Sequence, residues 1–206
     1  MSPQALTAVV MFSLVMGFTP GPNNVMLASS GARFGIRASL PHISGVTIGF
    51  PIMVLLVGLG LASILLASPR LQLAMKVVSA LYLLWLAIQI GKSPHMRDAA
   101  SGRPITFVQA ALFQWVNPKA WLIAVGAISA YTTGQGARLY LQVAIIALVS
   151  AGVCLLSTLT WTGFGAGIRH WLRAPLAFRL FNLMMALLLI ASTVPIGVEI
   201  WHELGG

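Results

Sequence analysis

Acidic side chains are almost missing from this chain: Asp and Glu together number 3 in 206 residues, and charged residues of both signs make up 7%. An ordinary soluble domain carries about 25% charged residues, so a water-covered surface is excluded. Cysteine occurs once, as Cys154 inside an apolar run. A lone thiol excludes an intrachain disulfide and dithiol chemistry, and its bland role is a small packing residue. The histidines, His42, His95, His170 and His202, fall in loops or at the ends of apolar runs, and no His-Glu-x-x-His pattern occurs. Without clustered Cys, His or acidic residues, neither a metal site nor an intramembrane metalloprotease is expected, and the chain reads as a non-enzyme that needs no cofactor. The formal net charge of +9 would suit nucleic acid, but the basic residues stand between apolar stretches and form no basic face on a soluble fold.

What is abundant is apolar sequence, 58% of the residues. Uncharged runs of about 18 or more residues read as membrane-crossing helices, with the lipid bilayer as their solvent. Breaks at charge and Pro/Gly clusters predict six spans, at 4–30, 42–66, 72–91, 105–130, 139–164 and 179–201. No connection between them is long enough for a second domain, so residues 1–206 are expected to form one all-α membrane transport domain. The first apolar run lacks a basic leader and reads as a retained helix. The first, third and fifth connections hold Arg33 and Arg37; Lys92, Arg97 and Arg103; and Arg169, Arg173 and Arg179. The other side holds only Arg70, Lys76 and Arg138, which predicts both termini outside the cytoplasm. Tyr82, Trp85, Tyr131, Tyr140, Trp171 and Trp201 lie near span ends and are expected to anchor at the headgroups. Gly45 and Gly49 share one face of the second span, Gly58 and Gly60 add another close-approach patch, and such surfaces serve helix contacts within one chain or across a possible homodimer.

Two of the spans are interrupted. The first contains FTPGPNN, in which Pro20 and Pro22 lack amide hydrogens and Gly21 tolerates backbone angles other residues avoid, so the helix must break there. The fourth contains QWVNPKA, with Asn117, Pro118 and Lys119. The prolines at 20 and 118 lie 98 positions apart, each about two-thirds along the first span of a three-helix half, 1–100 or 101–206. Three spans per half is an odd number, so the halves enter the membrane in opposite directions and form an inverted repeat. Matched interruptions in such repeats point to a binding site near the midplane, as in secondary transporters.

A half-helix that starts after a break presents free amides and a positive dipole end suited to a carboxylate, and the one before it ends in carbonyls suited to an ammonium. A zwitterionic amino acid offers both groups. Candidate substrate-binding residues are therefore Thr19, Pro20, Gly21, Pro22, Asn23, Asn24, Gln114, Asn117, Pro118 and Lys119. Lys119 is either a snorkelling lysine or a positive charge on the substrate path. No Asp or Glu lies well inside a span, so His42, at the cytoplasmic start of the second span, is left as the proton-coupling candidate, though a histidine there also serves as a polar end marker. A passive channel, or a carrier for another small solute on the same fold, is the competing reading.

FTPGPNNVMLASSGARFG, GVTIGF, ALYLLWLAIQI and FQWVNPKAW resemble the LysE/RhtB family of bacterial inner-membrane amino-acid exporters over nearly the whole chain. Within it the sequence is most similar to the branch that includes cysteine and O-acetylserine exporters. The resemblance implies a six-helix fold and export of amino acids or derivatives from the cytoplasm, driven by an ion gradient, with H+ the expected coupling ion. Its motifs fall on Thr19, Pro20, Gly21, Pro22 and Asn23, and on Asn117, Pro118 and Lys119. Many members carry an acidic residue after the glycine pair of the second helix, where this chain reads GFPIM with Phe50 and Pro51.

Overall fold

The computed structural model describes residues 1–61, 63, 67–92 and 103–205, and over these it is helical with no β-strand. The eight α-helices among the described residues are α1 (Pro3–Phe18), α2 (Pro22–Ala38), α3 (Leu40–Leu56), α4 (Pro69–Gly91), α5 (Phe107–Val116), α6 (Pro118–Tyr131), α7 (Ala137–Ile168) and α8 (Pro175–Gly205). A π-helical turn at Val57–Leu61 extends α3, and a 3-10 turn at Trp171–Arg173 precedes α8. His95, Arg97 and Asp98 lie outside the described residues.

Proline sets most of the helix starts. Pro3, Pro22, Pro69, Pro118 and Pro175 each open a helix, and Pro41 is the second residue of α3. At a first-turn position the missing N–H would have had no intrahelical partner, and the fixed φ is already helical. Side chains serve the remaining first-turn amides: Ser2 accepts from the Ala5 amide, Ser68 from that of Leu71, and Thr106 forms a reciprocal capping box with Gln109.

Four helical segments are long and apolar enough to cross a bilayer: Leu40–Leu61, Pro69–Gly91, Ala137–Ile168 and Pro175–His202. Together α1 and α2 make a fifth span bent by 56° at residues 19–21. The expected fourth span, 105–130, is two shorter helices, α5 of 10 residues and α6 of 14, on either side of Asn117. The first connection differs from expectation. Residues 31–38 continue α2, with Arg33 and Arg37 on the helix, and Ser39 alone separates it from α3. Gly35, at φ 78°, provides the kink inside α2 that a longer loop would otherwise supply.

Glycine decides how closely the helices cross. A Cβ on Gly31 would fall 2.0 Å from the Thr162 carbonyl oxygen, and one on Gly165 would fall 1.9 Å from that of Ala28, so α2 and α7 meet backbone to backbone. The α3/α5 crossing is similar: a Cβ on Gly45 would lie 2.4 Å from the Phe107 carbonyl oxygen and one on Gly49 2.8 Å from the Ala111 Cα. The Gly45/Gly49 face is thus used within the chain. Elsewhere α3 also packs on α7, and α4 packs chiefly on α8 through Leu83, Ala87, Met185 and Leu189. Outward-facing side chains such as Leu122 and Leu148 are 65% and 75% exposed, as lipid-facing leucines are. Of the expected aromatic anchors, Trp85, Tyr140, Trp171 and Trp201 are exposed. Tyr82 instead stacks against Phe113 and Tyr131 against Phe12, at centroid distances of 5.3 and 5.8 Å.

Candidate functional site

Where α1 ends, its last carbonyls are collected by named donors. The Asn24 amide nitrogen donates to the carbonyl oxygens of Gly17 and Thr19, both at 2.9 Å, and Ser157 on α7 donates to Gly17 at 2.8 Å. Thr19 donates its hydroxyl to the Val15 carbonyl. From the second break, the Lys119 ammonium reaches across to the Thr19 carbonyl at 2.6 Å and that of Pro20 at 3.4 Å. These carbonyls are therefore not open, as the sequence reading supposed, but already engaged. A protein ammonium sits on the carbonyl end of the broken helix, where the ammonium of a substrate was expected.

The second break is built in parallel. Asn117 caps α6 by accepting from the Lys119 amide at 3.2 Å, and the Trp121 indole donates to the Trp115 carbonyl at 2.9 Å. A reciprocal amide pair joins the breaks: Asn23 donates to Gln114 at 2.8 Å and Gln114 donates back at 3.3 Å. Gln114 is fully buried and also donates to the Ala110 carbonyl at 2.8 Å, which leaves it a positioning partner of Asn23 rather than part of a cavity wall.

Between the breaks lies a cavity of about 70 Å3, with Gly21, Asn23, Asn24, Asn117 and Lys119 on its wall beside Ser150, Ser157 and Thr158 of α7. Phe50, Val46 and Cys154 supply apolar surface. Among the described residues no acidic side chain lines it. A larger groove, about 410 Å3, lies on the far side of Lys119 and is walled by Thr19, Pro20, Pro22 and Pro118 together with parts of α4 and α8. Gly21 and Lys119 line both spaces. A Cβ on Gly21 would come within 2.8 Å of the Lys119 Cδ, so glycine leaves room for the lysine to lie across the break.

The candidates thus divide. Asn23, Asn24, Asn117, Gly21 and Lys119 meet at the cavity, and Thr19, Pro20, Pro22 and Pro118 face the groove. His42 stands apart from both. It lies in the first turn of α3 and is fully buried, with its Nδ1 2.9 Å from the Ser30 hydroxyl, and its Nε2 is buried without a hydrogen bond. Sequence reasoning missed Ser157 and Trp121, which serve the freed carbonyls, and Phe50 and Cys154. Trp121, two residues past the NPK motif, and Phe50, after the glycine pair of the second span, carried a positional signal. Among the described residues no His, Cys, Asp and Glu group is arranged to hold a metal.

Residues 14–198 match the model of the LysE type translocators. The chain belongs to that family. Its relatives include a protein named cysteine/O-acetylserine efflux protein from Klebsiella pneumoniae, 31% identical over 199 residues that cover 97% of this chain and all of the relative. A protein of the same name from Escherichia coli K12 is 31% identical over 196 residues, covering 95% and 99%. No solved structure matches. This LysE type translocator is accordingly a multi-pass inner-membrane transporter and not an enzyme.

Proposed function

We propose that the protein exports small, neutral, zwitterionic amino acids or their derivatives from the cytoplasm by alternating access. The carrying observation is that both proline breaks deliver their polar groups to one cavity, with a single ammonium, Lys119, and no carboxylate among the lining groups. A substrate carboxylate is matched by that ammonium and by the amides at the start of α2 and α6. As the carboxylate draws Lys119 toward it, the Thr19 and Pro20 carbonyls are released to the substrate ammonium. A cationic side chain would find no counter-charge and is disfavoured. The names of the relatives, which cover the full chain, support an amino-acid derivative as cargo.

The inverted-repeat reading is supported by the packing. If α1–α2 correspond to α5–α6, α3 to α7 and α4 to α8, the α1/α7 contact corresponds to the α5/α3 contact and the α3/α7 and α4/α8 contacts map onto themselves, whereas the close α2/α7 crossing has only a slight counterpart at α6/α3. The arginines on α2 and before α8 favour a cytoplasmic location for that side, with both termini and the groove outside. The closed wall formed by Lys119 favours a carrier over a passive channel.

Counterflow in proteoliposomes tests the reading. Protein preloaded with unlabelled neutral amino acids is expected to accelerate entry of labelled cysteine, O-acetylserine, threonine or homoserine; no exchange of any of them by folded protein would refute it. For coupling we place the proton on His42, whose Nε2 has no internal partner. His42→Asn is expected to keep counterflow within about twofold while losing at least about tenfold in gradient-driven net efflux, because exchange bypasses the return of the unloaded carrier. Equal loss of both activities would remove His42 from the coupling role.

A further inference from the structure

The groove beyond Lys119 has a feature the central cavity lacks: an ion pair. Lys76 of α4 and Glu199 of α8 approach to 3.0 Å, and both line the groove. Each belongs to a helix apolar enough to span the membrane. Ionised side chains at such positions are costly unless paired or facing water, and they commonly mark a substrate path.

Stability does not account for the pair. Its side chains are 23% and 60% exposed, and ion pairs open to that degree contribute little to stability. The two helices are already joined by Leu83, Ala87, Met185 and Leu189, all buried. Nor do ionised groups on its wall suit a cleft filled by lipid tails. What the pair does offer is one positive and one negative group side by side, in a groove that begins at the ammonium lining the central cavity.

We infer that Lys76 and Glu199 form a second substrate site, specific for zwitterions, on the release side of the Lys119 wall. An α-amino acid carries a carboxylate and an ammonium on one carbon. Entering the groove it exchanges the existing ion pair for two, its carboxylate on Lys76 and its ammonium on Glu199. The cargo then passes from one lysine to the next: Lys119 holds the carboxylate in the cavity and Lys76 receives it in the groove. Because Glu199 also takes the ammonium, the second site rejects plain carboxylates that Lys119 alone would admit. The inference rests on the exporter reading above, and it adds a site outside the paired breaks.

The test is labelled O-acetylserine counterflow by full-length protein in proteoliposomes sorted by orientation, with half-saturation measured separately at the groove face and at the opposite face. Glu199→Gln is expected to raise half-saturation about tenfold or more at the groove face and leave the opposite face unchanged. Lys76→Met combined with Glu199→Leu is expected to give the same one-sided change with an unchanged melting temperature, since two apolar groups can replace an ion pair without loss of stability. Unchanged half-saturation at the groove face in the double variant, or equal change at both faces, overturns the second site while leaving the exporter reading intact. No exchange by the wild-type protein overturns the exporter reading, and this site with it.

Discussion

Lys119→Met is expected to lower counterflow by about 10- to 100-fold with the fold retained. The ammonium makes two hydrogen bonds to the carbonyls of Thr19 and Pro20, and in the proposed cycle it is the only cation in the cavity wall. Hydrogen bonds to charged groups contribute about 1.5–3 kcal/mol, and each 1.4 kcal/mol is a factor of ten. Lys119→Arg should not restore transport. A planar guanidinium is broader than an ammonium, and Gly21 leaves space only for a narrow stem, to judge from the 2.8 Å between the Lys119 Cδ and a Cβ placed there. Counterflow rates and thermal unfolding of purified variants check both statements; wild-type rates for the methionine variant would remove Lys119 from the site.

Gly31→Val should have the largest effect on folding. Its Cβ would lie 2.0 Å from a carbonyl oxygen of α7, and the obstacle is backbone, so no side chain can swing aside. The helices must separate, which exposes the Ala28 and Ala32 contacts and costs at least about 3 kcal/mol, the upper end of ordinary overpacking. Gly163→Ala, on the partner helix α7 with nothing within 4 Å of its Cβ, is the control. It should be unchanged or slightly more stable, because alanine is the better helix former by about 1 kcal/mol. Equal melting temperatures for the valine variant and wild type would contradict the close crossing.

The legible part of this protein was what its prolines and glycines dictate. Pro20, Pro22 and Pro118 have few places to go in a membrane helix, so the breaks and the residues around them could be located from sequence alone, and Asn23, Asn24, Asn117 and Lys119 line one cavity. The partners of the freed carbonyls were not legible. Ser157 lies 140 residues from Gly17, and a serine in a long apolar helix gives no sign of what it faces. Arg33 and Arg37 were read as loop because charge normally ends a span, whereas the kink at Gly35 lets the helix continue. His42 was placed at an interface by its position near a span start, but the packing of α2 against α3 buries it. The Lys76–Glu199 pair was not legible, because Lys76 was counted only as a charge on the non-cytoplasmic side and its partner lies on a helix distant in sequence.

The cavity is bounded very differently at its two ends. Toward the groove the partition consists of the Met16 and Lys119 side chains beside Gly21, both of them flexible and unbranched. Rotations of such side chains take place in picoseconds to nanoseconds. Toward the arginine-bearing side, the Gly31/Gly165 crossing holds α2 and α7 in backbone contact, and nothing smaller than a whole helix can move to open it. Motions of that size run over microseconds to milliseconds. In the proposed cycle, side-chain rotation on one side is therefore fast and helix separation on the other is slow, and the slow motion sets the turnover.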